Sequence, residues 1–208
     1  PKLERDIIRI IKSEKKLVIF DIGCYRGLFT KTLLKSIKIK NYKFYLFDIN
    51  KNVKRYILKL KKLKNVNYNE IAISNKNGKA KYNYNRFFES SGSSLSSLYR
   101  NDFKWVRSRK LILKALFLST KDYIKYEVPT ITLDSFLKKN KINSVDVIKV
   151  DIDGSEYAFL QGAQKTIKKN MVKIILLEVL AKKNLYSKKE KKIVNFFKKN
   201  NYTLFKKK

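Results

Sequence analysis

Short apolar runs alternate with amphipathic, lysine-rich stretches along most of the chain. Runs of this length, apolar on both sides of the pleat, are typical of strands buried in a parallel sheet. Five strands are predicted: LVIFDIG (Leu17–Gly23), FYLFDIN (Phe44–Asn50), VNYNEIAIS (Val66–Ser74), SVDVIKVDIDGSE (Ser144–Glu156) and VKIILLEVL (Val172–Leu180). A sixth strand is predicted to start in NYTLF (Asn201–Phe205).

The stretches between these runs predict helices. They cover residues 4–14, Thr30–Lys40, Val53–Leu63, 103–118, the second part of Thr130–Asn140, Phe159–Lys169 and 187–200. This alternation predicts an α/β fold with a mostly parallel sheet and helices on both faces. We expect a single domain over residues 1–208, with a loop and helix insertion at about 86–127 that contains the serine-rich segment Ser90–Leu98. The pair Asn77-Gly78 predicts a hairpin within Lys76–Asn85.

Charge and residue usage narrow the chemistry. Lysine and arginine number 50 against 17 aspartates and glutamates, and the resulting net charge of +33 would attract polyanions. Because the lysines are spread along the whole chain, compositional bias is the favoured explanation and a polyanion partner is the alternative. Histidine is absent, which excludes Ser-His-Asp and Cys-His catalysis and imidazole metal sites. A general base must therefore be a carboxylate, a lysine or a tyrosine.

The sequence also indicates a compartment. It has no run approaching the roughly 18 apolar residues that a membrane span needs, and it opens on no signal-peptide pattern. The single cysteine, Cys24, allows no internal disulfide. We therefore expect a cytoplasmic protein. The basic helix at 103–118 is a candidate contact to an anionic membrane surface or lipid-linked glycan at the inner face, although a helix that covers the core is the favoured interpretation. The start at Pro1 without methionine suggests a trimmed chain.

Acidic residues are concentrated where the predicted strands end. Seven of the 17 lie there: Asp21, Asp48, Glu70, Asp151, Asp153, Glu156 and Glu178. The carboxyl ends of parallel strands share one edge, where α/β proteins bind their ligands, so these side chains should gather there. Grouped carboxylates repel one another unless a cation, a hydroxyl-rich ligand or hydrogen bonds offset them, although each one alone is also explained as a helix cap. Lys149, in the fourth strand, should either pair with one of these acids or extend its ammonium to solvent.

The glycine spacing after the first strand separates two classes of ligand. Asp21, Gly23 and Gly27 form D-x-G-x-x-x-G, which is neither the G-x-G-x-x-G of dinucleotide sites nor a P-loop. The glycines allow a tight turn and a close backbone approach, whereas the preceding acid would repel a pyrophosphate. Asp48 ends the second strand, where an acid can accept both ribose hydroxyls. A ligand with a cationic end, a ribose and no phosphate fits S-adenosylmethionine.

Ordered blocks of the sequence resemble the FkbM-type S-adenosylmethionine-dependent methyltransferases. The blocks are DIGCYRGLFT, FDIN, NEIAIS followed by NG, SGSSL, TITLDSF, VIKVDIDGSEYAFLQGA and IILLEVL, over roughly residues 15–180. Asp153 stands where the family usually has glutamate. The resemblance implies a Rossmann-like class I methyltransferase fold with its last strands antiparallel and its final hairpin cut short here. It also implies an O-methyltransferase that modifies a hydroxyl of a sugar, glycan or secondary metabolite.

The residues and the resemblance together assign roles at this edge of the sheet. The residues predicted to bind the cofactor, S-adenosylmethionine, are Asp21, Gly23, Cys24, Tyr25, Gly27, Asp48, Ile49, Asn50, Glu70, Ile71 and Ala72. The candidate catalytic residues are Asp151, Glu156 and Glu178, with Asp151 the first candidate either for the base or for positioning the cofactor. The predicted substrate contacts are Ser93, Ser94 and Asp153. A metal is not favoured, and Mg²⁺ held by Asp151, Asp153 and Glu156 is the alternative.

Two other enzyme classes and a binding module are the alternatives. Asp151-Ile152-Asp153 can be read as the D-x-D motif of a metal-dependent glycosyltransferase. The carboxylate of Asp21 argues against this class, because it would repel the diphosphate of a nucleotide sugar. The high positive charge suggests a nucleic-acid methyltransferase, yet the N/D-P-P-Y/F and cysteine motifs of those enzymes are absent, so nucleic acid is not the expected partner. A non-catalytic module would bind the cofactor and have no methyl acceptor.

Overall fold

A computed structural model describes residues 2–11, 14–37, 39–85, 123–152, 154–178 and 188–205. In chain order the strands are β1 (Leu17–Ile22), β2 (Tyr42–Phe47), β3 (Val66–Asn69), β4 (Ala72–Ile73), β5 (Gly78–Asn85), β6 (Tyr123–Ile131), β7 (Val145–Val150) and β8 (Val172–Leu177). The helices are α1 (Lys2–Ile11), α2 (Leu28–Ser36), α3 (Lys54–Lys61), α4 (Leu133–Lys139), α5 (Glu156–Gly162), α6 (Gln164–Lys168) and α7 (Lys188–Lys199). Across these ranges no helix is both long enough and apolar enough to cross a membrane.

Five parallel strands form the main sheet, in the order β3-β2-β1-β7-β8. The chain therefore crosses from one side of β1 to the other between β3 and β7, and β1 lies at the centre. The register places Asp21 of β1 beside Leu46 of β2 on one side and Lys149 of β7 on the other. This arrangement confirms the predicted α/β fold and brings the carboxyl ends of β1, β2 and β7 to one edge.

The main sheet is covered on both faces because its strands alternate their side chains between two cores. In β1, Ile19 points to a core shared with α1, α2 and α3. Phe20 points to the opposite core, which is built from α4, α5, α6 and α7. There the Phe20 ring lies 5.5 Å from that of Phe47 and 5.8 Å from that of Phe136. Strands apolar on both sides are therefore required, as the sequence pattern predicted.

A second, three-stranded sheet has the order β4-β6-β5, with β4 parallel and β5 antiparallel to β6. The predicted single strand Val66–Ser74 is wrong in this respect, since it is divided into β3 of the main sheet and β4 of the second sheet. The predicted hairpin at Asn77-Gly78 is also wrong. Gly78 opens β5, whose partner is the distant β6, and the Asn77 side chain accepts a hydrogen bond from the Thr132 amide at 2.9 Å.

Two further elements differ from the prediction. The predicted helix Phe159–Lys169 is two helices, α5 and α6, which are joined at Ala163. NYTLF, predicted to start a sixth strand, forms no strand over residues 201–205, and the Tyr202 hydroxyl instead donates to the Val172 carbonyl at 2.9 Å. The antiparallel last strands that the resemblance implies are absent from the main sheet as far as the structure describes it.

Part of the predicted insertion at 86–127 can be placed. Residues 123–127 are the first part of β6. The predicted helix 103–118 and the segment Ser90–Leu98 lie outside the described residues.

Candidate active site

Asp21, the last but one residue of β1, is fully buried at the carboxyl edge of the main sheet. Its Oδ2 accepts a hydrogen bond from the Thr30 hydroxyl of α2 at 2.7 Å. Its Oδ1 lies 3.6 Å from the Lys149 Nζ and, within the described part of the chain, accepts no hydrogen bond. Burial raises the pKa of the Asp21 carboxyl, and the ammonium of Lys149 and the Thr30 hydroxyl oppose that rise.

The turn after β1 depends on glycine at two positions. Gly23 has φ of +73°, and a Cβ there would overlap the Asp151 carbonyl oxygen, so the turn presses directly on the end of β7. Gly27 has φ of +68°, and its Cβ would lie 2.6 Å from the Leu60 side chain of α3. The D-x-G-x-x-x-G spacing therefore has a packing reason at both glycines, whether or not a ligand binds here.

Asp48 joins the same turn to the end of β2. Its Oδ2 accepts a hydrogen bond from the Tyr25 amide at 2.8 Å, and its Oδ1 accepts one from the Asn50 amide at 2.9 Å. Burial raises the pKa of the Asp48 carboxyl in spite of these amides. A carboxylate has about four lone-pair positions, and the Ile49 amide also acts on this carboxyl, so Asp48 keeps capacity for a further donor.

The amides of the turn are already engaged inside the protein. Gly23 and Cys24 both donate to the Phe47 carbonyl, at 2.9 and 3.1 Å, and Tyr25 donates to Asp48. Any ligand contact from Cys24 and Tyr25 would therefore involve their other atoms. Burial raises the pKa of the Cys24 thiol well above its ordinary value, which leaves the thiol protonated and unreactive.

Three of the predicted acids lie together around one lysine. The Lys149 Nζ is 3.1 Å from the Asp151 Oδ2 and 3.6 Å from the Asp21 Oδ1. Glu178 follows β8 and donates its amide to the Val150 carbonyl at 3.0 Å, and the neighbouring Asp151 carboxyl raises the pKa of the Glu178 carboxyl. This cluster joins the ends of β1, β7 and β8.

The other predicted site residues lie differently. Glu156 is buried and its Oε1 accepts the Gly154 amide at 3.0 Å, so its carboxylate stabilises the start of its own helix. Glu70 is half exposed and forms an ion pair with Lys54 at 2.7 Å. Ile71 and Ala72, which follow Glu70, lead into β4 and the second sheet. Asp153, Ser93 and Ser94 lie outside the described residues.

Two tyrosines that the sequence did not single out border the Asp48 loop. The Tyr68 hydroxyl donates to the Asp48 carbonyl at 3.4 Å, and the Tyr126 hydroxyl donates to the Ile49 carbonyl at 3.1 Å. Tyr126 belongs to β6, so it brings the second sheet against the end of β2. The predicted insertion at 86–127 included Tyr126, so the sequence did not predict the first part of β6 as a strand.

The described residues contain no group of three or more His, Cys, Asp or Glu side chains that could hold a metal ion. Asp153, one member of the alternative Mg²⁺ set, is outside that description.

Comparisons with known proteins give one family and one structure. The family model for the methyltransferase FkbM domain matches residues 21–204. A crystal structure of methyltransferase FkbM from Methylobacillus flagellatus KT matches at 13% sequence identity and a TM-score of 0.45, and the match covers 77% of this chain. It covers 32% of the other chain, so the present chain spans about a third of that protein. Among the curated proteins, none matches significantly.

Proposed function

The chain belongs to the FkbM methyltransferase domain family, and from this premise we propose that it is an S-adenosylmethionine-dependent O-methyltransferase. One observation carries the proposal. A glycine turn after β1 and an acid after β2 meet at the carboxyl edge of a parallel sheet, and the Asp48 carboxylate holds them together. Membership of the family supports methyl transfer as the reaction. The residues at the carboxyl edge of the main sheet support S-adenosylmethionine as the cofactor.

The residues at this edge fit S-adenosylmethionine. Asp48 retains lone-pair capacity for a ribose hydroxyl. The Asp21 Oδ1 is a buried acceptor with no hydrogen bond from the described residues, and Asp21 lies at the end of β1, just before the turn that would hold the methionine part. Ile49, Asn50 and the segment 70–72 lie at the ends of β2 and β3, where the nucleoside would lie. When bound, the cofactor supplies an electrophilic methyl group on a sulfonium.

Asp151 is the residue proposed to receive the proton of the acceptor hydroxyl. A sugar hydroxyl is a very weak acid, so a base would have to take its proton as the oxygen accepted the methyl group and the sulfur left as a neutral thioether. Asp151 lies at the same edge as Asp21, and its side chain is 38% exposed, so an acceptor can reach it. The neighbouring Glu178 carboxyl is exposed and would provide an exit for the proton.

The proposed acceptor is a small molecule or glycan that carries a hydroxyl group, such as a sugar or a secondary metabolite. A cytoplasmic location, and a contact with an anionic membrane surface or lipid-linked glycan, remain part of the same proposal. The net charge of +33 would attract an anionic partner of this kind, although compositional bias is the favoured explanation of that charge.

Calorimetry with S-adenosylhomocysteine tests the proposed cofactor. We expect the wild type to bind it and Asp48→Ala to lose about ten- to a hundred-fold in affinity, because hydrogen bonds to a charged group are worth about 1.5–3 kcal/mol. Asp134→Ala is the matched control. Asp134 also holds backbone amides, those of Lys165 and Thr166, but it links α4 to α6. The Asp134→Ala substitution should lower the stability of the protein and leave its affinity for S-adenosylhomocysteine unchanged. A wild type that binds UDP and not S-adenosylhomocysteine would reject the proposal in favour of a glycosyltransferase.

A further inference from the structure

Lys149 occupies an unusual place for a lysine in a chain whose lysines are mostly on the surface. It is in the penultimate position of β7, the neighbour of the central strand β1, and lies directly beside Asp21 of β1 in the register. Its side chain is only 21% exposed. A lysine in such a position requires anionic partners, because removing an ammonium from water is costly.

The partners come from three separate parts of the site. The Nζ of Lys149 lies 3.1 Å from the Asp151 Oδ2 and 3.6 Å from the Asp21 Oδ1, and it donates a hydrogen bond to the Gly23 carbonyl at 3.2 Å. The Asp151 and Gly23 oxygens lie within hydrogen-bond distance of the ammonium, whereas the Asp21 Oδ1 is an ion-pair partner that accepts no hydrogen bond from the described residues. One side chain therefore links the end of β1, the turn that follows it and the end of β7.

The charges of this group depend on one another. Burial lowers the pKa of the Lys149 ammonium, but the carboxylates of Asp21 and Asp151 together raise it above the ordinary value, so the ammonium stays charged. In return, the ammonium opposes the rise in pKa that burial causes at Asp21. Without Lys149, two carboxylates would lie at adjacent strand ends with no internal counter-charge.

The contact with Gly23 fixes the backbone as well as the charges. A Cβ at Gly23 would overlap the Asp151 carbonyl oxygen, which shows that the turn already lies against the end of β7. The hydrogen bond from Lys149 holds the Gly23 carbonyl in that contact. Since the Gly23 and Cys24 amides donate to Phe47 of β2, the turn is held from both neighbouring strands.

We propose that Lys149 is a positioning residue of the methyl-transfer site: its ammonium fixes the turn that holds the cofactor and keeps the Asp21 and Asp151 carboxylates side by side. This inference rests on the proposed function for its ligand. It assigns Lys149 a role through Gly23, Asp21 and Asp151 rather than through the reacting atoms.

Three variants test the role of the ammonium. Lys149→Met keeps the length and apolar stem and removes the charge, whereas Lys149→Arg keeps the charge. Lys173→Met is the matched control, because Lys173 belongs to the same sheet and also lies between two carboxylates. Its Nζ is 2.9 Å from the Glu14 Oε1 and 2.9 Å from the Asp146 Oδ1. It lies in β8 near that strand's amino end, away from the proposed site.

Two measurements are made on each variant. Calorimetry with S-adenosylhomocysteine is expected to show a loss of about ten-fold or more for Lys149→Met, substantial recovery for Lys149→Arg and no loss for Lys173→Met. Hydrogen exchange of the ligand-free proteins is expected to be faster at the Gly23 and Cys24 amides in Lys149→Met alone.

The outcomes separate this inference from the proposed function. If the wild type binds no S-adenosylhomocysteine, the proposed function fails, while the exchange rates still decide whether Lys149 holds the turn. Wild-type exchange at Gly23 and Cys24 in Lys149→Met would overturn the inference. An affinity equal to the wild type in that variant, or an equal loss in Lys149→Met and Lys149→Arg, would overturn it as well.

Discussion

At the scale of single residues, the side chains that define this edge each have a structural partner in the ligand-free protein. Asp48 holds two loop amides, Asp21 is bonded to Thr30, and Lys149 contacts both Asp21 and Asp151. The sequence predicted where these acids would gather, because a parallel sheet brings its strand ends together. It left open whether Lys149 would pair with them, since that depends on the register between β1 and β7.

Gly23 provides the first prediction. We expect Gly23→Ala to lower the free energy of unfolding by at least about 2 kcal/mol, because a left-handed φ costs an alanine about 1–2 kcal/mol and the overlap with Asp151 adds to this. Chemical denaturation measures the loss, and calorimetry should show that S-adenosylhomocysteine affinity falls too. Gly78→Ala is the control: it has φ of +131° but open space around the Cβ, so its stability should fall with no change in affinity. Equal affinity in both variants would contradict the role of the turn.

The raised pKa of the Asp48 carboxyl gives a second prediction, in which stability and binding respond to pH in opposite directions. Between the ordinary value of 3.8 and the raised value, the folded protein binds more protons at Asp48 than the unfolded chain. The contribution of Asp48 to stability is therefore present at low pH and is lost as pH rises through that window.

Urea unfolding of the wild type and Asp48→Ala across pH, at constant ionic strength, measures this contribution. The difference in unfolding free energy, wild type minus variant, should grow as the pH falls. Over the same range the wild-type affinity for S-adenosylhomocysteine should fall, because ribose binding needs the ionised carboxylate. A difference that shrinks on acidification would show that burial does not dominate at Asp48.

At the scale of secondary-structure elements, predictions succeeded where a short apolar run is buried on both faces. β1, β2, β7 and β8 are such runs, and the bounds of β1, β2 and β8 were predicted to within three residues. The predicted strand Ser144–Glu156 was too long at its acidic end, since β7 ends at Val150 and Glu156 begins α5. β6 was missed beyond its last residues because its first part was assigned to the insertion at 86–127 and because it contains Pro129, although its alternation of polar and apolar positions is a strand signal. The Asn77-Gly78 pair wrongly indicated a hairpin. The Asn77 side chain instead forms tertiary hydrogen bonds with Thr132 and Ser135 at the start of α4, which no local sequence pattern reveals.

The close packing between the end of α5 and the residues that follow β4 and β6 gives a third prediction. Gly162 is helical, and alanine in a helix interior is ordinarily better than glycine by about 1 kcal/mol. A Cβ at Gly162 would, however, overlap the Ser74 carbonyl oxygen and lie 3.2 Å from the Thr132 Cβ. We therefore expect Gly162→Ala to destabilise the protein by about 1–3 kcal/mol in urea unfolding, against its helix propensity. The exposed neighbour Gln161→Ala should stay within about 0.5 kcal/mol of the wild type. Stabilisation by Gly162→Ala would show that α5 does not pack so closely.

At the scale of the whole molecule, the positive charge is not confined to one face. α3 carries Lys59 and Lys61 in its last turn on one side of the main sheet, and α7 carries Lys198 and Lys199 on the other side. Nucleic-acid binding proteins concentrate such charge on one face or along one groove. This two-sided distribution favours compositional bias over a dedicated polyanion surface among the described residues.

A net charge of +33 without a partner should weaken the fold through mutual repulsion, and salt should then strengthen it. At about 0.01 M ionic strength the Debye length is roughly 30 Å, and at about 1 M it is roughly 3 Å, so added sodium chloride screens the surface repulsion almost completely. We expect the thermal midpoint to rise by a few degrees across this range, where about 2–4 °C corresponds to 1 kcal/mol for a chain of this size. Saturating S-adenosylhomocysteine should raise every midpoint by a similar amount, because the acids proposed to bind it are largely buried and poorly screened. A midpoint that falls with salt would mean that the ion pairs of the folded state outweigh the repulsion, and the two-sided lysine surface would then be a source of stability rather than a cost.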